Sequence, residues 1–156
     1  MIRMEAALLL IISFVAVFYF CAGSKDTRLH KIFSLLLVTM IVHLSLDAAT
    51  VYTVNHLETV PRLLNDIVHK LFLGSMVFCV YLFYEYIRVL AERKSSLIAL
   101  AYLVFAETLM ALTPVEYTVT PKGNYSSGIH ALMCYISVGV YLILCGEIFI
   151  RCRKSF

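Results

Sequence analysis

Residues 32–54 read IFSLLLVTMIVHLSLDAATVYTV. As a helix this run spans the roughly 30 Å hydrocarbon core of a bilayer, which takes about 20 residues at about 1.5 Å each. Its only full charge is Asp47. Apolar residues follow one another without strict alternation, so the run is not a strand of a membrane barrel. Four more runs of this kind lie at 4–22, 67–90, 97–113 and 129–150. Lipid offers backbone N–H and C=O groups no water to bond, so such segments must be helices, whose backbone bonds are internal. The expected architecture is therefore an all-α membrane protein: one domain over 1–156, built as a bundle of five transmembrane helices.

Composition leads to the same place. The 156 residues are 62% hydrophobic and 15% charged, where soluble domains are roughly half apolar and a quarter charged. Mean hydropathy is +0.89. A single small core cannot hide that excess, so the lipid bilayer is the expected partner. The first run, AALLLIISFVAVFYFCA at 6–22, lacks the basic start of a signal peptide. Only Arg3 precedes it, Glu5 offsets that charge, and the basic cluster follows the run, so it reads as a retained span. The fourth run is the shortest and stops at Pro114.

Lysine and arginine in short connections set orientation. Lys25, Arg28, Lys31, Arg88, Arg93, Lys94, Arg151, Arg153 and Lys154 fall on one side, and Arg3, Arg62, Lys70 and Lys122 on the other. The richer side is expected in the cytoplasm, which puts the N-terminus out and the C-terminus in, as a multi-pass protein of the plasma (cytoplasmic) membrane. Two outer connections are long. In NHLETVPRLLND (55–66), Thr59 is an N-cap candidate, with Pro61 in the first turn of the third helix. In PVEYTVTPKGNYSSG (114–128), Val115, Tyr117 and Val119 alternate before Pro121-Lys122-Gly123, the pattern of a small hairpin or turn. Asn124-Tyr125-Ser126 also fits a glycosylation sequon.

Several functions find no support in the residues. No basic patch interleaved with exposed aromatics points to nucleic acid. No phosphate-binding glycine loop, HExxH motif or nucleophile elbow is present, so no catalytic residues are assigned and the chain does not read as an enzyme. The five cysteines, Cys21, Cys79, Cys134, Cys145 and Cys152, lack CxxC spacing. They read as small apolar filler, without a metal or other cofactor.

The polar residues inside the runs carry the functional question. Thr39, His43, Asp47, Thr50 and Val54 recur every three or four residues and share one helix face. His43 and Asp47, one turn apart, can pair. A carboxylate at mid-helix costs roughly 2.5–3.5 kcal/mol on insertion scales, so this face must point into the bundle. Asp47 and Glu107 each lie about seven residues from an outer helix end, or roughly 10 Å deep. One plane is therefore expected to hold His43, Asp47, Glu107, Tyr135 and Ser137, with Lys70 and His130 above it. Such a plane is either an outward-facing pocket for a small ligand, a cation or a proton, or a hydrogen-bonded cluster that fastens helices. His69 and His130 are expected at the outer interface. Glu85 with Arg88, and Glu147 with Arg151, have ordinary helical ion-pair spacing near the headgroups.

LSLDAATVYTVNHLETVPRLLNDIVHKLFLGSMVFCVYLFYEYI and the later GNYSSGIHALMCYISVGVYLILCGEIFIRCRK resemble the N-terminal membrane sensor of many Firmicute-type diguanylate cyclases (GGDEF proteins) and related regions before histidine kinases. The shared features are an acid in the outer half of helix two, the VP..LN…H stretch before helix three, and the GNYS loop. The resemblance covers about residues 30–154 and implies that Pro61, Asn65, His69, Gly123, Asn124 and Tyr125 are motif positions alongside Asp47. It further implies an input module that senses an extracytoplasmic or membrane signal and controls a cytoplasmic GGDEF or kinase domain. That family usually has seven or eight helices before its output domain. This chain is therefore expected to be either a fragment or a short standalone relative. The competing readings are a small proton- or cation-coupled transporter subunit and a non-catalytic scaffold, for which a homodimer is the natural arrangement.

Overall fold

A computed structural model describes residues 2–23, 27–120 and 123–153. Five helices and one two-stranded hairpin follow in order: α1 (Ile2–Cys21), α2 (Arg28–Asn55), α3 (Arg62–Leu90), α4 (Leu97–Leu112), β1 (Glu116–Thr120), β2 (Gly123–Ser127) and α5 (Ile129–Arg153). Helices α2, α3 and α5 are long and apolar enough to cross a membrane, whereas α4 and the apolar part of α1 (Ala6–Cys21) are shorter. The 16 residues of α4 rise about 24 Å, short of a full hydrocarbon core.

Local chemistry sets the helix ends. Thr27 caps α2 by accepting the His30 N–H at 3.2 Å, and Ser96 caps α4 by accepting the Ala99 N–H at 3.2 Å. The expected Thr59 cap of α3 is not formed. Residues 56–60 curl into a turn in which the His56 carbonyl takes the Thr59 N–H at 3.0 Å, the Val60 N–H at 2.9 Å and the Thr59 hydroxyl at 3.2 Å. Pro61 itself is the capping residue of α3, where its missing N–H leaves no donor unpaired. The expected hairpin is present, with Glu116 opposite Ser127 and Thr120 opposite Gly123. The predicted Pro121-Lys122 turn, and the orientation lysines Lys25, Lys122 and Lys154, lie outside the described residues.

Helix α3 is central and packs against α2, α4 and α5, while α1 lies on α2. The core sits between α3, α4 and α5. Its hub is Tyr141, which has no exposed surface and donates its hydroxyl to the Ala99 carbonyl at 2.9 Å. Tyr81, Tyr84 and Tyr102 place their rings 5.7–5.8 Å from it, so Tyr81 and Tyr84 of α3 pack inward while Phe83 is exposed.

Polarity is distributed inside out. Ile98 is 83% exposed and Leu97 and Leu112 are each 78% exposed, while Asn65, His130 and Ser137 have no exposed surface. Large apolar side chains on the outside of a bundle are stable only against lipid or another apolar surface. Glu85 and Arg88, expected to act at the headgroups, are buried. They bond each other at 2.7 Å, and Arg28 of α2 approaches Glu85 at 3.6 Å, so the three charges join α2 to α3.

Candidate functional site

The polar residues expected in one plane divide between two sides of α3. On the α2 side, His43 Nδ1 lies 2.9 Å from the Ser75 hydroxyl, and its ring stacks on Phe72 with centroids 5.0 Å apart. Asp47 is half-buried on the same face and acts electrostatically on His43. On the α4 side, Glu107 meets Gly74. A Cβ added at Gly74 would lie 2.6 Å from Glu107 Oε2, so any larger residue would make the carboxylate shift. Residues 74 and 75 point about 100° apart around a helix. The two acids therefore belong to separate sites. Of the other expected members, Ser137 is buried and donates to the Met133 carbonyl at 2.7 Å, with the Tyr102 hydroxyl 3.2 Å away. Lys70 is used at the end of α4, donating to the Ala111 carbonyl at 2.7 Å, where a cation satisfies one of the last helical acceptors. Tyr135 is 66% exposed and turns away from the bundle.

The structure gathers a different set at the hairpin end. Asn65 and His69, one turn apart on α3, face α2 and the hairpin. The Thr53 hydroxyl donates to Asn65 Oδ1 at 2.8 Å. Asn124 of β2 reaches back and donates to the Val54 carbonyl at 2.9 Å. Ser126 Oγ is hydrogen-bonded to His69 Nε2. A cavity of about 200 Å³ lies among these groups, lined by Thr50, Val54, Asn55, His69, Asn124 and Ser126 in particular. Tyr125 also borders it but is 53% exposed, while Pro61 starts α3 and Gly123 starts β2.

A latch holds the hairpin over this end. The Tyr117 hydroxyl donates to Asp66 Oδ1 at 2.6 Å. Burial, and then the hydrogen bond and negative charge of Asp66, hold the Tyr117 phenol above its ordinary range. His130, expected at the interface, has no exposed surface and lies beneath the hairpin, its ring 6.4 Å from that of His69. Gly128 is left-handed there (φ 124°), and a Cβ on it would approach His130 Nδ1 to 3.1 Å. Among the described residues, His69 Nδ1 and Asn65 Nδ2 are buried without a hydrogen-bond partner, while the buried His130 ring lies against the Pro114 carbonyl. Buried polar atoms are normally satisfied, so such a concentration marks a place able to hold a further hydrogen-bonding group.

Thr53, Asp66, Tyr117 and Ser126 were not among the expected site residues, whereas His130 was expected above the plane of His43, Asp47 and Glu107. Thr53 was within reach of sequence reasoning, because it continues the Thr50 and Val54 end of the α2 stripe. Asp66 lies three residues before His69 on one helix face. Nothing in the sequence sets the position of the hairpin that brings Tyr117 and Ser126. Among the described residues no group of three or more His, Cys, Asp or Glu side chains is arranged to hold a metal ion. No family of proteins, curated protein or solved structure matches the chain.

Proposed function

We propose that this chain is a five-span input module of the plasma membrane, N-terminus out and C-terminus in. In this reading it binds a small hydrogen-bonding signal at its hairpin end and passes the change to a separate cytoplasmic signalling domain, a diguanylate cyclase or a kinase. The single observation that supports it best is the unpartnered buried Nδ1 of His69, a residue lining the cavity under the hairpin, with the unpartnered Asn65 Nδ2 one turn away on α3. A ligand supplying complementary donors and acceptors there would favour one arrangement of α2, α3 and β2, and only such differential affinity shifts a conformational equilibrium. Helix α3 runs from this site to the opposite end of the bundle, so a small translation of it would carry the signal. The resemblance of the stretches containing Pro61, Asn65, His69, Gly123, Asn124 and Tyr125 to membrane sensors agrees with this use of the site.

The test is a fusion of residues 1–156 to a diguanylate cyclase catalytic domain, with cellular cyclic di-GMP as the readout. His69→Gln and Asn65→Leu should change the output at least threefold at unchanged membrane content. Unchanged output from both variants would sink the proposal. A second reading, a proton- or cation-coupled transporter subunit, is favoured by Glu107, whose buried Oε1 has no partner among the described residues. Proteoliposome uptake that is lost in Glu107→Gln would select it.

A further inference from the structure

The end of the bundle away from the hairpin carries a cavity of about 450 Å³ between the end of α3, the α3–α4 connection and the end of α5. Four basic residues line it, Arg88, Arg93, Lys94 and Arg151, against one acid, Glu147. Arg88 is committed to Glu85 and Arg151 to Glu147. Arg93 and Lys94 are exposed and form no ion pair among the described residues. Their position is set by Glu92, whose left-handed backbone (φ 54°) turns the chain so that the Arg93 N–H returns to the Arg88 carbonyl at 2.9 Å. A mostly apolar groove of about 550 Å³ adjoins this cavity, with Leu90, Phe149 and Cys152 in its wall and Glu92 and Arg93 at its charged part. Arg93 and Ile148 line both spaces, so the basic cavity and the apolar groove form one continuous surface.

We propose that this surface binds a phospholipid with an anionic headgroup. The phosphate lies against Arg93 and Lys94, and an acyl chain follows the groove between the ends of α3 and α5. Charge alone would suit any phosphate compound. The adjoining apolar wall, on a bundle that exposes many large apolar side chains, suits a lipid.

The test uses the full chain in a neutral detergent, with bound lipid counted by native mass spectrometry. Dioleoyl phosphatidylglycerol should be retained at least tenfold better than dioleoyl phosphatidylcholine. Arg93→Gln combined with Lys94→Gln should weaken the anionic lipid about 30-fold, since each basic side chain near an anionic surface contributes about a factor of five. Both positions are exposed, so the fold should survive. Phe149→Gln should weaken the lipid while leaving the preference for negative charge. Lys31→Gln, a charge at the same end outside the cavity, should change retention less than twofold. Equal retention of the two lipids, or a loss with Lys31→Gln as large as with the double variant, would overturn the proposal. So would full displacement by millimolar inorganic phosphate, which would assign the cavity to soluble phosphates.

Discussion

Asn65 shows how a single side chain is used at the hairpin end. It has no exposed surface, its carbonyl oxygen takes the Thr53 hydroxyl, and its amide nitrogen is left over. The bond ties α3 to α2, and interhelical bonds of this kind average about 0.6 kcal/mol in bilayers. Asn65→Ala should therefore destabilise the bundle by about 1 kcal/mol once the small cavity is included, and Thr53→Val combined with it should cost little more. A denaturation-based double-mutant cycle in bilayer or detergent reads the coupling. Strictly additive losses would mean that the two side chains do not interact. His69 and Ser126 make the comparable tie from α3 to the hairpin.

At the scale of elements, the hairpin is the part whose placement matters most. It touches α2 and α5, and through Tyr117 it is latched to Asp66 of α3. The latch has a pH signature. Because the folded phenol is held above the unfolded value of about 10, its stabilising contribution is complete below about pH 10 and is lost as pH rises further. A difference titration of phenolate absorbance between the native chain and Tyr117→Phe should show one tyrosine still protonated at about pH 10.5. A Tyr117 that ionises with an ordinary midpoint would refute the latch. The same hairpin was foreseeable as an element from the Val115, Tyr117 and Val119 alternation, yet only Val115 is fully buried and Val119 is 71% exposed. Alternation predicts strand geometry, whereas burial depends on what the strand is laid against.

Across the whole molecule, charge and apolar surface follow the rules of a bilayer protein. Arg28, Arg88, Arg93, Lys94 and Arg151 meet at one end, and the hairpin occupies the other. If the chain is threaded with the basic end inside, a cysteine at Glu58 in a cysteine-free background should label with an impermeant maleimide on intact cells. A cysteine at Lys94 should label only after permeabilisation. The reverse pattern would invert the proposed orientation, and labelling of both sites from outside would remove α3 from the list of spans.

The sequence by itself determined the helices, because apolar run length and the cost of unpaired backbone in lipid allow nothing else. It placed Asp47 and Glu107 each about seven residues from a helix end, whereas the helices run on to Asn55 and stop at Leu112. It could not give azimuth or neighbours. Only the packing of α3 between α2 and α4 decided that Ser75 faces His43 while Gly74 faces Glu107, so that the two acids do not share a pocket. The folding back of a short hairpin, through Asn124, Ser126 and Tyr117, brought together side chains from positions 53 to 130 at one end. Those contacts depend on long-range geometry, in which a rotation of one helix by a single residue exchanges a buried partner for lipid.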